Sequence, residues 1–241
     1  MKLFLLLLGI GGMPFAASAA PVQPPADTVV LLHGLGRTRF SMARLACDLD
    51  AAGYRVVNAT YPSRTLPLEK LATEWLPAQL HNVAPGSRVH FVTHSMGGIL
   101  VRLWLRECSA PPNLGRVVML APPNTGSELT DRLARWAPYR WFTGLNGPRL
   151  GTAPDALPRV LGDWPADTAL LGVIAGDRSI NSLLGAALPA PNDGKVSVAS
   201  THLAGESDHL VLPFSHTWLG WRRATLDHVA AFLRTGAFAL R

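Results

Sequence analysis

Charge is scarce in this 241-residue chain. Only 16% of its residues are Asp, Glu, Lys or Arg, and lysine occurs only at Lys2, Lys70 and Lys195. With 48% hydrophobic residues, this balance excludes a disordered chain and leaves enough apolar surface for one sizeable core. The formal net charge of +6 is therefore carried by arginine, scattered at positions such as Arg37, Arg55, Arg88, Arg116, Arg159 and Arg241. No basic run exists, which argues against nucleic acid as a partner. A scattered basic surface leaves room for weak peripheral contact with an anionic membrane. Cysteine is nearly absent: Cys47 and Cys108 allow one disulfide at most and exclude a disulfide-built scaffold. His-Glu-x-x-His spacing, paired cysteine ligands and a phosphate-binding glycine loop are also missing, so neither a metal nor another cofactor is expected. No apolar stretch reaches the length of an ordinary membrane span.

What is present begins with a targeting pattern. Lys2 precedes the apolar run Leu3 to Ile10, and Ala17-Ser18-Ala19 follows as a small-x-small cleavage site. Residues 1–19 read as a signal peptide cut after Ala19, so the mature chain is expected outside the cytoplasm, periplasmic or secreted. An uncleaved N-terminal membrane anchor is the alternative. A Pro-rich leader, residues 20–27, comes next, and residues 28–241 read as one domain.

Within that domain, short β-branched or apolar runs alternate with helical patterns. Strands are expected at 28–32 (TVVLL), 55–60, 88–93, 116–121, 170–175 and 209–214. Helices are expected at 40–52, 68–83, 96–108 and 221–233. Ser41 is a possible N-cap for the first, Gly53 a stop for it, and Pro77 a break or kink inside the second. Continuously apolar strands alternating with helices imply an α/β fold, a mostly parallel sheet with helices on both faces. Residues 122–165, rich in Pro, Gly and Trp, lack periodicity and read as a short insertion between strands.

The chemistry is concentrated where the third strand meets the third helix, at Thr93-His94-Ser95-Met96-Gly97-Gly98. A serine between small residues at a strand-to-helix junction sits in a tight turn that lifts its hydroxyl clear of the sheet, with a helix N-terminus behind it. Here the chain resembles the α/β-hydrolase family, and within it the small bacterial lipases and esterases. One position departs from that pattern: Thr93 stands where the family usually has Gly or Ala.

The resemblance implies a nucleophile, an acid and a base in that chain order. Ser95 is the expected nucleophile. A serine hydroxyl needs a base within reach, and the base needs an orienting carboxylate. His216 lies just past the last strand, at the carboxyl-end rim where parallel sheets bind ligands. His209 opens that strand and should lie at the opposite rim, and His228 falls within the final helix. Two carboxylates compete for the acid. Asp193, in Asn192-Asp193-Gly194-Lys195-Val196, looks like the acid loop of bacterial lipases. Asp177 directly follows the fifth strand, and Asp208 is weaker still. The favoured set is Ser95, Asp193 and His216. The family's His-Gly-x element corresponds to His33-Gly34-Leu35-Gly36, so the oxyanion donors would be the backbone N–H groups of Leu35 and Met96, with His33 structural.

These residues imply cleavage of small-molecule or lipid acyl esters by a chain expected to work as a monomer. An acyltransferase using the same residues, or a noncatalytic binding protein on this scaffold, are the alternatives. Trp136, Tyr139, Trp141, Phe142 and Trp164 in the insertion either line an acyl pocket or pack against the sheet. In similar proteins the helices carrying Cys47 and Cys108 cover opposite faces of the sheet, which implies two unpaired thiols.

Overall fold

Continuously apolar strands leave no polar face for water, so their sheet has to be covered on both sides. The computed structural model describes residues 26–81 and 83–239, and within them six strands form one parallel sheet. They are β1 (Thr28–Leu32), β2 (Arg55–Asn58), β3 (Val89–His94), β4 (Leu114–Leu120), β5 (Leu171–Gly176) and β6 (Asp208–Leu212), in the spatial order β2-β1-β3-β4-β5-β6. The signal peptide and the leader up to residue 25 lie outside the described residues.

Successive residues of each strand feed two different cores. Val29 and Leu31 of β1 join Val92, Val118, Ile174 and Leu210 beneath the helices Ala43–Ala51 and Arg223–Thr235. Val30 and Leu32 face the opposite way, with Phe91, Met119 and Val173, beneath the helix Met96–Cys108 and the helical stretch 68–80. This double burial is why the strands show no polar alternation. Chain direction across the sheet reverses between β1 and β3, so the loops leaving these two strands flank a crevice at the carboxyl rim.

Local details differ from the sequence expectation. The first helix is entered through a 3-10 turn, Arg39–Met42, and Ser41 does not cap it: its Oγ donates to Thr38 O at 2.8 Å. Gly53, with φ +90°, ends the segment as expected. The second helix does not break at Pro77. It widens instead into a π-helical turn, Leu71–Trp75, in which Leu76 N–H reaches Leu71 O, and continues as Leu76–Leu80. The wider turn accommodates the missing N–H and the ring bulk of Pro77. β6 ends two residues early because Phe214 N–H turns back to Leu212 O at 2.7 Å.

The insertion is ordered by buried polar ties rather than by periodicity. It contains the short helices Glu128–Leu133, Ala137–Thr143 and Leu157–Val160 and the 3-10 turn Gly147–Leu150. Arg102, buried within the helix Met96–Cys108, donates to the carbonyls of Asn124 (2.8 Å), Pro158 (2.9 Å) and Gly162 (2.6 Å). Burial lowers the Arg102 pKa to about 10. Asn146, fully buried, donates to Ser63 O and Leu66 O and accepts from Leu68 N–H, joining the insertion to the start of the second helix. Glu128 Oε1 accepts from the hydroxyls of Ser197 (2.8 Å) and Ser200 (2.9 Å).

Candidate active site

Ser95 stands between β3 and the helix Met96–Cys108 with φ 56° and ψ −123°. A left-handed conformation in a non-glycine residue costs about 1–3 kcal/mol and persists only where its surroundings enforce it. Here Ser95 N–H is held by Leu120 O at 2.8 Å, and Ser95 O accepts from Gly98 N–H at 3.0 Å. The two glycines behind it are required by close approach. A Cβ on Gly97 would lie 2.6 Å from Leu32 O, and one on Gly98 would lie 2.9 Å from Met119 Sδ. Thr93 fits with its side chain buried and its hydroxyl unpartnered among the described residues.

His216, just past β6, meets Asp193 of the segment between β5 and β6. His216 Nδ1–H donates to Asp193 Oδ2 at 2.7 Å, and the two side chains are almost wholly buried. His216 N–H also donates to Asp193 O at 3.1 Å. The second carboxylate oxygen, Asp193 Oδ1, accepts from the backbone N–H groups of Lys195 (2.9 Å) and Val196 (2.8 Å). Both oxygens are therefore engaged, and because an ionised carboxylate only accepts, the proton sits on Nδ1 and Nε2 carries the lone pair. Gly176 makes room for this loop, since a Cβ there would meet Phe214 O at 2.3 Å and Asp193 Cβ at 3.0 Å.

Ser95, Leu35 and His216 line one cavity of about 230 Å³, walled on the far side by Leu129, Tyr139 and Phe142 of the insertion. Among the described residues the Ser95 hydroxyl makes no hydrogen bond to the imidazole. Hydroxyl and ring share the cavity wall. Met96 begins the helix, and Leu35 lies in a tight turn closed by Arg37 N–H to Gly34 O at 3.1 Å, with Gly36 at φ +67°. Among the described residues no backbone carbonyl takes either the Leu35 or the Met96 N–H.

The competing residues are placed elsewhere. Asp177 faces the Arg178 guanidinium at 3.4 Å, not the imidazole. Asp208 accepts from Phe238 N–H at 2.9 Å. His209, near the start of β6, is bonded to Thr201 Oγ1, and His228 sits edge-on to Phe238. His33 is built into the core: its ring stacks on Tyr61 at 4.0 Å, Nδ1–H donates to Gly34 O and Nε2 accepts from Tyr61 N–H. Of the insertion's aromatic residues, Tyr139 and Phe142 line the cavity and Trp164 is buried. Trp136 and Trp141 are 59% and 78% exposed.

Three residues at the site were not legible as functional in the sequence. His94 Nε2–H donates to His216 O at 2.9 Å, tying the residue before Ser95 to the backbone of His216. Desolvation, followed by the neighbouring His216 charge, holds His94 well below the usual histidine range, so this ring stays neutral. Arg37 and Lys195 also line the cavity. The only signal for them was their place inside the two loop motifs, His33-Gly34-Leu35-Gly36-Arg37 and Asn192-Asp193-Gly194-Lys195.

Among the described residues, one group gathers metal-capable side chains: His202, Glu206 and His209 bring ligand atoms within 4.8 Å of one another. The two rings stack nearly parallel at 3.7 Å, and His202 Nδ1 already meets Glu206 Oε1 at 2.6 Å. Stacked rings direct their in-plane lone pairs along separate lines, so gathering them on one ion would require ring rotation. Burial, then the neighbouring His202, lowers the His209 pKa to about 4. Cys47 and Cys108 are unpaired and exposed, on helices packed against opposite faces of the sheet.

The sheet order, the crevice at its switch point and the strained serine junction define an α/β-hydrolase fold with a short cap insertion. Residues 29–239 match the model of the alpha/beta hydrolase family, and the chain belongs to that family. No curated protein matches it. Solved structures of similar fold include the mature lipase BlEst2 from Bacillus licheniformis, 19% identical with a TM-score of 0.66 over 90% of this chain and 94% of that one. A metagenomic carboxyl esterase is 20% identical with a TM-score of 0.59, over 85% of this chain and 69% of the other. Phospholipase PlaB from Legionella pneumophila is 21% identical with a TM-score of 0.56, over 73% of this chain and 46% of that one.

Proposed function

We propose that this hydrolase is an exported serine esterase that cleaves carboxylic esters through an acyl-enzyme on Ser95. The observation that carries the reading is the 2.7 Å bond from His216 Nδ1–H to an otherwise satisfied Asp193, beside a cavity that Ser95 shares. In the proposed reaction, His216 Nε2 takes the Ser95 proton as Oγ attacks the ester carbonyl. The negative charge on the tetrahedral intermediate's oxygen is held by the N–H groups of Leu35 and Met96. The intermediate collapses as His216 passes its proton to the leaving alcohol oxygen. Water then gives a proton to His216, attacks the acyl-enzyme, and the proton returns to Ser95 as the acid leaves. Asp193 keeps the lone pair on Nε2 and stabilises the imidazolium.

The cavity, about 230 Å³, is smaller than the roughly 300–1,000 Å³ typical of drug-sized ligands, which favours short acyl groups. Esterase and lipase names among the structural neighbours agree with ester chemistry. The exposed Trp136 and Trp141 on the cap suit brief contact with an apolar phase. Hydrolysis of p-nitrophenyl butyrate by the purified chain is the test. Ser95→Ala is expected to lower kcat by about 10⁴-fold or more with the thermal midpoint unchanged. Turnover within tenfold of wild type would refute the acyl-enzyme.

A further inference from the structure

The cavity that holds Ser95 and His216 is lined by two cations, Arg37 and Lys195, and by no carboxylate side chain. Neither cation forms an ion pair among the described residues. Arg37 makes one side-chain hydrogen bond, to Thr217 Oγ1 at 3.4 Å. It lies between this cavity and a neighbouring groove of about 430 Å³ lined by Phe40, Trp218 and Trp221. Lys195 is half-buried and hydrogen-bonds only through its backbone. Its pKa is lowered by desolvation and then by Arg37, against the attraction of Asp193.

This placement is costly: a half-buried ammonium beside a second cation is unfavourable. The acid loop does not require a lysine. Asp193 Oδ1 accepts the Lys195 N–H, and Ser127 Oγ–H donates to the Lys195 carbonyl, so any side chain would serve the turn. A negative group on the substrate removes that penalty, because it neutralises the cations.

We infer that Arg37 and Lys195 form an anion subsite beside Ser95, so that the preferred esters carry a carboxylate or phosphate a few bonds from the scissile group. The inference rests on the esterase reading and narrows its substrate class. Two substrate pairs separate the sources of the anion. The first compares p-nitrophenyl hemiglutarate, with an acyl-side carboxylate, to p-nitrophenyl butyrate. The second compares butyryl glycerol phosphate, with an alcohol-side phosphate, to monobutyrin. In at least one pair the wild-type kcat/KM is expected to favour the anion by about tenfold or more. Lys195→Met and Arg37→Met should each remove most of that preference, mainly through KM, and added salt should weaken it in the wild type. Inorganic phosphate binding to the Ser95→Ala protein, followed by calorimetry, reads the subsite without turnover and should be lost in the Ser95→Ala/Arg37→Met/Lys195→Met protein. Equal handling of anionic and neutral esters in both pairs overturns the subsite, as does a preference or phosphate binding that survives both substitutions. Failure to hydrolyse any of the four esters while phosphate still binds would instead refute the esterase reading.

Discussion

The two walls of the cavity are built on different principles. One wall consists of segments leaving the carboxyl ends of β1, β3, β5 and β6, and carries Leu35, Ser95 and His216, with Asp193 behind the imidazole. Its geometry is set by hydrogen bonds to backbone beside the strands: Ser95 N–H to Leu120 O, Asp193 Oδ1 to two loop N–H groups, and His94 to His216 O. The other wall is the insertion, whose short helices are fastened by a few polar side chains that tie it to distant parts of the chain, Arg102 reaching in and Asn146 and Glu128 reaching out. A rigid sheet rim can hold a reacting group to a fraction of an ångström, whereas a fastened cap can be reshaped without disturbing the chemistry. Substitutions in the two walls should therefore separate loss of turnover from loss of stability.

The largest effect is expected on the sheet side. Asp193→Asn keeps the shape but removes the charge that sets the His216 tautomer, so kcat should fall by about 10³–10⁴-fold with little change in the thermal midpoint. Parallel loss of kcat and folding in that variant would mean that Asp193 is structural. On the cap side the order reverses. Arg102→Met leaves three carbonyls without their buried donor and should cost about 2–4 kcal/mol, lowering the thermal midpoint by roughly 5–12 °C. Short-ester turnover at 20 °C should fall by less than about tenfold, and a loss as great as that of Asp193→Asn would erase the distinction between the walls.

A smaller effect concerns pH. His33, His90, His94 and His209 all have folded pKa values depressed below 6.5, with burial as the leading cause. Their unfolded forms take up protons first, so stability is fully present above the unfolded value and falls as pH drops below it. The thermal midpoint should decline between pH 7.5 and 5. His94→Gln, which keeps a donor but does not titrate, should flatten part of that slope. A midpoint rising toward pH 5 would show that these rings are not held neutral.

Much of the sheet wall was legible because local chemistry dictates it. TVVLL reads as a strand buried on both faces, and Gly97 behind Ser95 is required because a Cβ there would lie 2.6 Å from Leu32 O. The cap was not legible because its order comes from contacts distant in sequence. Asn146 binds Ser63, Leu66 and Leu68, and Arg102 binds Pro158 and Gly162, pairings that leave no period in the chain. Of the break or kink expected at Pro77, the structure has no break: a π-helical turn absorbs the proline and the helix continues packing beside Met96–Cys108. Asp177 and Asp193 could not be separated by motif alone. The 2.7 Å bond to His216 and the Arg178 contact at 3.4 Å separate them spatially.

The most direct measurement is the rate at which a fluorophosphonate labels the chain, with the adduct mapped by peptide mass. A nucleophile activated by His216 should give one adduct on the Ser95 peptide, formed at least about 10³-fold more slowly in His216→Ala. An adduct on another residue, or equal rates with and without the imidazole, would contradict the relay from Asp193 through His216 to Ser95.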